Sequence, residues 1–165
     1  MLSLKYIRWI VHISFFSILI LVLFGAYFVE FILGHQPCAL CYLQRIGMIL
    51  SAACLIINIK EPGNTSLGVC LLSSLFGCAV ALRHNSLKFC CSDYIKPVIL
   101  GKSLPVWSFY VFVCSMLAVC VMLICRKEKL RQYESDKVYN VSFWILSIVL
   151  LIGTASTLVS RGLQF

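Results

Sequence analysis

Two cysteines with two residues between them, Cys38-Ala39-Leu40-Cys41, form a C-x-x-C pair, and two more are adjacent, Cys90-Cys91. Thiols at the first spacing can close a small disulfide that exchanges readily with other thiols, which suits the pair to carrying two electrons. The thiolate is the reactive form, and the flanking sequence favours it. Pro37 precedes the pair, and an apolar run that reads as a helix starts near Cys41. The pair therefore lies at a helix N-terminus, where aligned peptide dipoles stabilise negative charge. Arg45 follows Cys41 by four residues and Cys38 by seven, offsets that share one helix face. Its fixed charge is expected to lower the thiol pKa further. Arg45 is also a candidate anchor for a cofactor carbonyl or an anionic reduced cofactor. The plainer reading is an arginine reaching to the membrane interface.

The adjacent pair is a different case. Consecutive alpha carbons lie about 3.8 Å apart, whereas a relaxed disulfide needs about 4.4–6.8 Å. A Cys90–Cys91 bond would be strained and oxidising. Either cysteine could instead exchange with Cys38 or Cys41, or with a cysteine of a substrate, or one of the two is a bystander. No metal is expected: a structural zinc site needs four ligands, usually two spaced pairs, and no histidine pair is nearby. Covalent haem would need His after Cys41, where Tyr42 stands.

The elements that must position these residues are hydrophobic spans. Of 165 residues, 61% are hydrophobic and only 12% charged, with a mean hydropathy of +0.98. A soluble domain of this size could not keep so much apolar surface from water. In a lipid bilayer only helices and closed barrels satisfy their backbone groups. The runs are long and lack two-residue alternation, so helices are expected. Five segments have roughly the 20 residues a span needs: about Trp9–Ile32, Tyr42–Ile59, Ser66–Leu82, Val106–Cys125 and Val141–Val159. Lys5 and Arg8 precede the first, as in a signal peptide. Its apolar stretch is too long for one and no small-x-small cleavage site follows, so it reads as an anchor. The whole chain, 1–165, reads as one multi-pass membrane domain, with polar loops at about 33–41 and 83–105.

Of ten cysteines, Cys54, Cys70, Cys78, Cys114, Cys120 and Cys125 fall within apolar runs and read as small hydrophobes. The net charge of +8 comes mostly from residues flanking the spans. That is a membrane pattern and no nucleic-acid partner is expected. The dense cluster Arg126, Lys127, Lys129, Arg131 and Lys137 places the loop before the fifth span in the cytoplasm. The Cys38–Cys41 and Cys90–Cys91 loops then share the outer face, where disulfides persist.

Pro37-Cys38-Ala39-Leu40-Cys41-Tyr42-Leu43-Gln44-Arg45 resembles the signature of the DsbB-type disulfide-forming membrane oxidoreductases. Leu100-Gly101-Lys102-Ser103-Leu104-Pro105-Val106-Trp107 is similar to the segment that leads into that family's fourth span. The resemblance covers roughly Trp9 to Cys125. It implies an all-α, integral membrane four-helix bundle in the bacterial inner membrane, here with an additional C-terminal transmembrane helix. The implied activity is reoxidation of a periplasmic DsbA-type thiol oxidase, with electrons passed to the membrane quinone pool, ubiquinone or menaquinone. By that likeness Cys38 and Cys41 give electrons to the quinone, Arg45 supports it near Cys41, and Cys91, with Cys90 beside it, exchanges with the soluble partner. His84, in the second polar stretch, is a candidate neighbour of the quinone or a plain loop residue. The adjacency of Cys90 and Cys91 and the fifth span depart from the family pattern.

Other readings are weaker. In quinone reductases of the vitamin-K-epoxide-reductase type the reactive pair lies late in the chain. Four-span scaffolds with an adjacent Cys-Cys have a much longer outer loop. A transporter would need charged or broken helices at mid-membrane.

Overall fold

Each long apolar run folds into one helix, because a helix alone satisfies the backbone within the segment where no water is present. In the computed structural model, residues 4–33, 38–60, 63–90, 98–99, 101–124 and 132–162 are described. The helices are α1 (Leu4–Leu33), α2 (Ala39–Lys60), α3 (Asn64–Cys90), α4 (Leu104–Ile124) and α5 (Gln132–Gly162). All five contain stretches long and apolar enough to cross a membrane. The chain is an all-α membrane protein, as its hydropathy requires. One small ribbon interrupts it: β1 (Val98–Ile99) pairs antiparallel with β2 (Lys102–Ser103), Val98 opposite Ser103. Gly101 turns the ribbon at φ 75°, a left-handed conformation that glycine adopts without a Cβ penalty.

α1 to α4 pack in a ring, each against its neighbours in sequence, and α1 closes the ring on α4. The tightest seam is α2 on α3. A Cβ added at Gly47 would lie 3.4 Å from the Gly77 Cα, and one added at Gly77 would run into the Phe112 ring, so α4 wedges a fully buried phenylalanine against two bare backbones. Small residues let helices approach closely in lipid, where apolar burial drives little association. Hydroxyls add the second ingredient. Ser51 Oγ lies 2.9 Å from the Gly47 carbonyl oxygen and 3.0 Å from Ser73 Oγ, with one proton to donate between them. Ser73 donates to the same carbonyl at 2.8 Å, and Ser74 bonds Ser115 of α4. On α1, His12 Nε2 meets the Leu55 carbonyl of α2 at 2.9 Å.

α5 packs on α1 and α2, outside the ring. Lys60 Nζ, at the C-terminal end of α2, lies 5.2 Å from the centre of the Tyr139 ring. Further along α5, Gly153 presses against the hydroxyl of Tyr27, whose ring lies beside Arg45 in the second turn of α2. α5 therefore runs antiparallel to α2 along most of its length. Much of the outward surface is apolar, including Leu21, Ile124, Trp144 and Leu151, with Ile124 81% exposed. Lipid is the solvent that such a surface fits. Cys54, Cys70 and Cys78 are buried small hydrophobes, while Cys114 and Cys120 face outward; Cys125 lies outside the described residues.

Candidate functional site

One end of the bundle gathers the chemistry. It is built from the C-terminal ends of α1 and α3 and the N-terminal ends of α2 and α4.

α2 begins at Ala39, two residues before the expected start near Cys41, so Cys38 is its N-cap. The Cys38 carbonyl accepts from the Cys41 amide at 2.9 Å and from the Tyr42 amide at 3.3 Å. The C-x-x-C pair is thus the first turn of a membrane helix. The turn brings the sulfurs of Cys38 and Cys41 to 3.1 Å as free thiols. Cys38 is exposed and Cys41 half-buried.

α3 supplies the third group. Hydropathy ends the third span near Leu82, but the helix continues through Arg83, His84 and Asn85 to Cys90. His84 is therefore a helical residue, 4% exposed, and not part of a loop. Its Nε2 lies 3.7 Å from Cys38 Sγ and its Nδ1 lies 3.4 Å from Gln44 Nε2. With Gln44 donating to Nδ1, the ring carries its proton on Nε2 and offers it to the Cys38 sulfur. Both hydrogen bonds to that sulfur favour the thiolate: the one from Cys41, then the one from His84. They hold the Cys38 thiol well below its ordinary value. Asn85 Nδ2 donates to the Pro105 carbonyl at 3.4 Å, fastening this end of α3 to the first turn of α4.

The hydrogen bonds of Arg45 go to α1: it donates to the Glu30 carboxylate and, at 3.2 Å, to the Ala26 carbonyl. The guanidinium lies 4.7 Å from the Tyr27 ring centre and 5.6 Å from that of Tyr42. Its charge is balanced by Glu30, and the thiolate of Cys38 draws its stabilisation from Cys41 and His84. Sequence reasoning missed Glu30 and Gln44. Glu30 was legible, since an acid within an apolar span needs a partner. Cys90 is the last residue of α3; its side chain, all of Cys91, and Pro37 lie outside the described residues.

The family model described as disulfide bond formation protein DsbB matches residues 7–95, more than half of the chain and the stretch that holds every side chain of the site. The chain is 35% identical over 92 residues to disulfide bond formation protein B of Chromobacterium violaceum, covering 50% of this chain and 55% of that protein. It is 33% identical over 89 residues to disulfide bond formation protein B 1 of Pseudomonas savastanoi pv. phaseolicola, 48% and 53% respectively. The chain thus spans about half the length of these two relatives. A longer match, 28% identical over 155 residues, covers 72% of this chain and 96% of disulfide bond formation protein B of Cupriavidus necator. No solved structure matches at a significant level. With its paired thiols set in the first turn of a membrane helix, inside the matched segment, the chain belongs to the DsbB family of disulfide bond formation proteins.

Proposed function

We propose that this chain is a thiol:quinone oxidoreductase of the bacterial inner membrane, which reoxidises a periplasmic DsbA-type thiol oxidase and passes the electrons to ubiquinone or menaquinone. The observation that carries this reading is the Cys38–Cys41 pair, 3.1 Å between sulfurs, at the mouth of a membrane helix with His84 against the outer sulfur.

In the exchange step, a thiolate attacks the Cys38–Cys41 disulfide and expels a thiolate of that pair. A sulfur of low pKa leaves faster, and His84 Nε2, 3.7 Å from Cys38 Sγ, is the group placed to stabilise a departing Cys38 thiolate. The attacking thiolate is that of Cys91 or of its neighbour Cys90, by their place in the family pattern, and the soluble partner exchanges with that loop. Two electrons and two protons leave the partner's dithiol for each disulfide it regains. Such a soluble oxidant has a potential near −120 mV, roughly, so the acceptor must be a still stronger oxidant. A quinone supplies that sink when bound, taking two electrons and two protons.

The donor set fits a quinone's carbonyl oxygens. Arg45 commits two of its five N–H groups to Glu30 and Ala26. Glu30 and the two tyrosines hold Arg45 in place. α4 ends and α5 begins at the opposite end of the bundle, with the Arg126–Lys137 cluster around that connection in sequence, which supports a periplasmic position for the cysteines.

The test is turnover by the full chain in lipid with a reduced DsbA-type protein, following quinone reduction by absorbance. Quinone-dependent turnover that Cys38→Ala abolishes is expected. Folded protein that turns over neither ubiquinone nor menaquinone would sink the reading.

A further inference from the structure

Two sulfurs and an imidazole nitrogen converge at the head of α2: Cys38 Sγ, Cys41 Sγ and His84 Nε2 all lie within 4.8 Å of one another. From this convergence we propose that the reduced chain binds a thiophilic d10 cation, zinc(II), between these three atoms, and that the oxidised chain does not.

Zinc takes thiolate at about 2.3 Å and imidazole at about 2.0–2.1 Å in a tetrahedron, so neighbouring donors sit roughly 3.5–3.8 Å apart. The Cys38–His84 separation is already 3.7 Å. The sulfurs, at 3.1 Å, need to part by only about half an ångström, within reach of small side-chain rotations. Cys38 is exposed, which gives the ion a way in, and His84 is buried, which fixes the ring.

A ligating histidine ordinarily gives its other N–H to an oxygen acceptor. Gln44, 4% exposed, stands at Nδ1 for that purpose. Turning its amide over places Oε1 against an Nδ1–H and leaves the Nε2 lone pair facing the sulfurs. The side chain that orients His84 toward a thiolate can thus also orient it toward a metal. Three protein ligands leave a fourth position for water, the pattern of exchangeable zinc and not of a closed structural site. The ligand missing from a purely sequential view is His84, 46 residues beyond Cys38 and on another helix.

Loading is an exchange of cations. Zinc enters, the Cys41 thiol proton leaves to solvent while Cys38 is already thiolate, the imidazole proton passes from Nε2 to Nδ1, and no electron moves. A Cys38–Cys41 disulfide has no thiolate to offer and leaves the histidine alone, so metal binding and oxidation exclude one another. Zinc held here needs neither a quinone nor a soluble partner, and its binding is measured independently of the proposed activity.

The experiment uses the full chain in lipid nanodiscs, reduced and freed of reductant without air. Cobalt(II) is added as a spectroscopic probe, then displaced by zinc(II) in competition with a chromogenic chelator. Sulfur-to-cobalt charge-transfer absorption that zinc removes is expected, and it is absent from the oxidised chain. His84→Ala and Gln44→Leu each weaken zinc binding about 10–100-fold or more with helical content unchanged by circular dichroism, and Cys38→Ser removes this binding event. A reduced, folded chain without the absorption overturns the site. So does a zinc affinity unchanged by either Cys38→Ser or His84→Ala, which would place the metal on other cysteines.

Discussion

The carboxylate of Glu30, near the end of α1, is ion-paired with the guanidinium of Arg45, in the second turn of α2, and both side chains are about nine-tenths buried. Removing one partner of such a pair leaves the other charge buried and uncompensated, at a cost of about 3–5 kcal/mol. Glu30→Gln and Arg45→Met should each destabilise the chain by that order in equilibrium unfolding from mild detergent. The double variant should lose less than the sum of the two. Strict additivity would show that the pair is not an energetic unit.

The Cys38 thiol is held below its ordinary value of 9.0 by hydrogen bonds from Cys41 and then His84. A group with a depressed folded-state pKa stabilises the folded form above its unfolded value, and the gain is lost as pH falls through the folded value. The reduced chain should therefore lose stability on acidification across the window from 9.0 down to the lowered value. Alkylation of Cys38 by iodoacetamide, followed against pH, reads the same group directly. His84→Ala should move the profile to higher pH, and Cys41→Ala should move it further. An unmoved profile in His84→Ala would remove the histidine from the thiolate's support.

Gly77 faces the Phe112 ring with no room for a Cβ. Gly77→Ala should cost about 1–3 kcal/mol by overpacking, and Phe112→Leu in the same chain should restore part of it. Thermal unfolding in detergent of the two single variants and the double variant checks this. A neutral Gly77→Ala would mean that the seam is looser than the structure describes.

Because α5 runs from beside Lys60 to beside Tyr27, it carries the chain from one side of the membrane to the other. A phosphatase joined after Phe165 should be active in the periplasm. Activity confined to a cytoplasmic reporter in the same position would contradict a crossing fifth helix.

The spans were legible because hydropathy alone marks a segment that lipid can hold. The C-x-x-C pair was legible because its geometry is local to one turn. The far end of α3 was not. Arg83, His84 and Asn85 are polar enough to read as a loop, yet no glycine or proline follows before Pro97 to stop the helix, and α3 continues to Cys90. His84 acquires its role only through contact with α2, which sequence spacing does not encode. The Glu30 partner of Arg45 was not legible from spacing, because it lies on α1, across the connection between helices. The fifth helix is outside the four-span pattern, and its hydropathy was the better guide.

The first turn of α2 has a mechanical consequence. Its backbone bond from Cys41 to Cys38 closes the same four residues that the two sulfurs span. Bonded sulfurs lie about 2.0 Å apart, so making or breaking their bond moves them by roughly an ångström while the peptide frame keeps its shape. The frame is anchored below by a bundle whose helices meet backbone to backbone. Little structural reorganisation accompanies each electron pair, and the lipid-embedded body can stay still while its tip changes oxidation state.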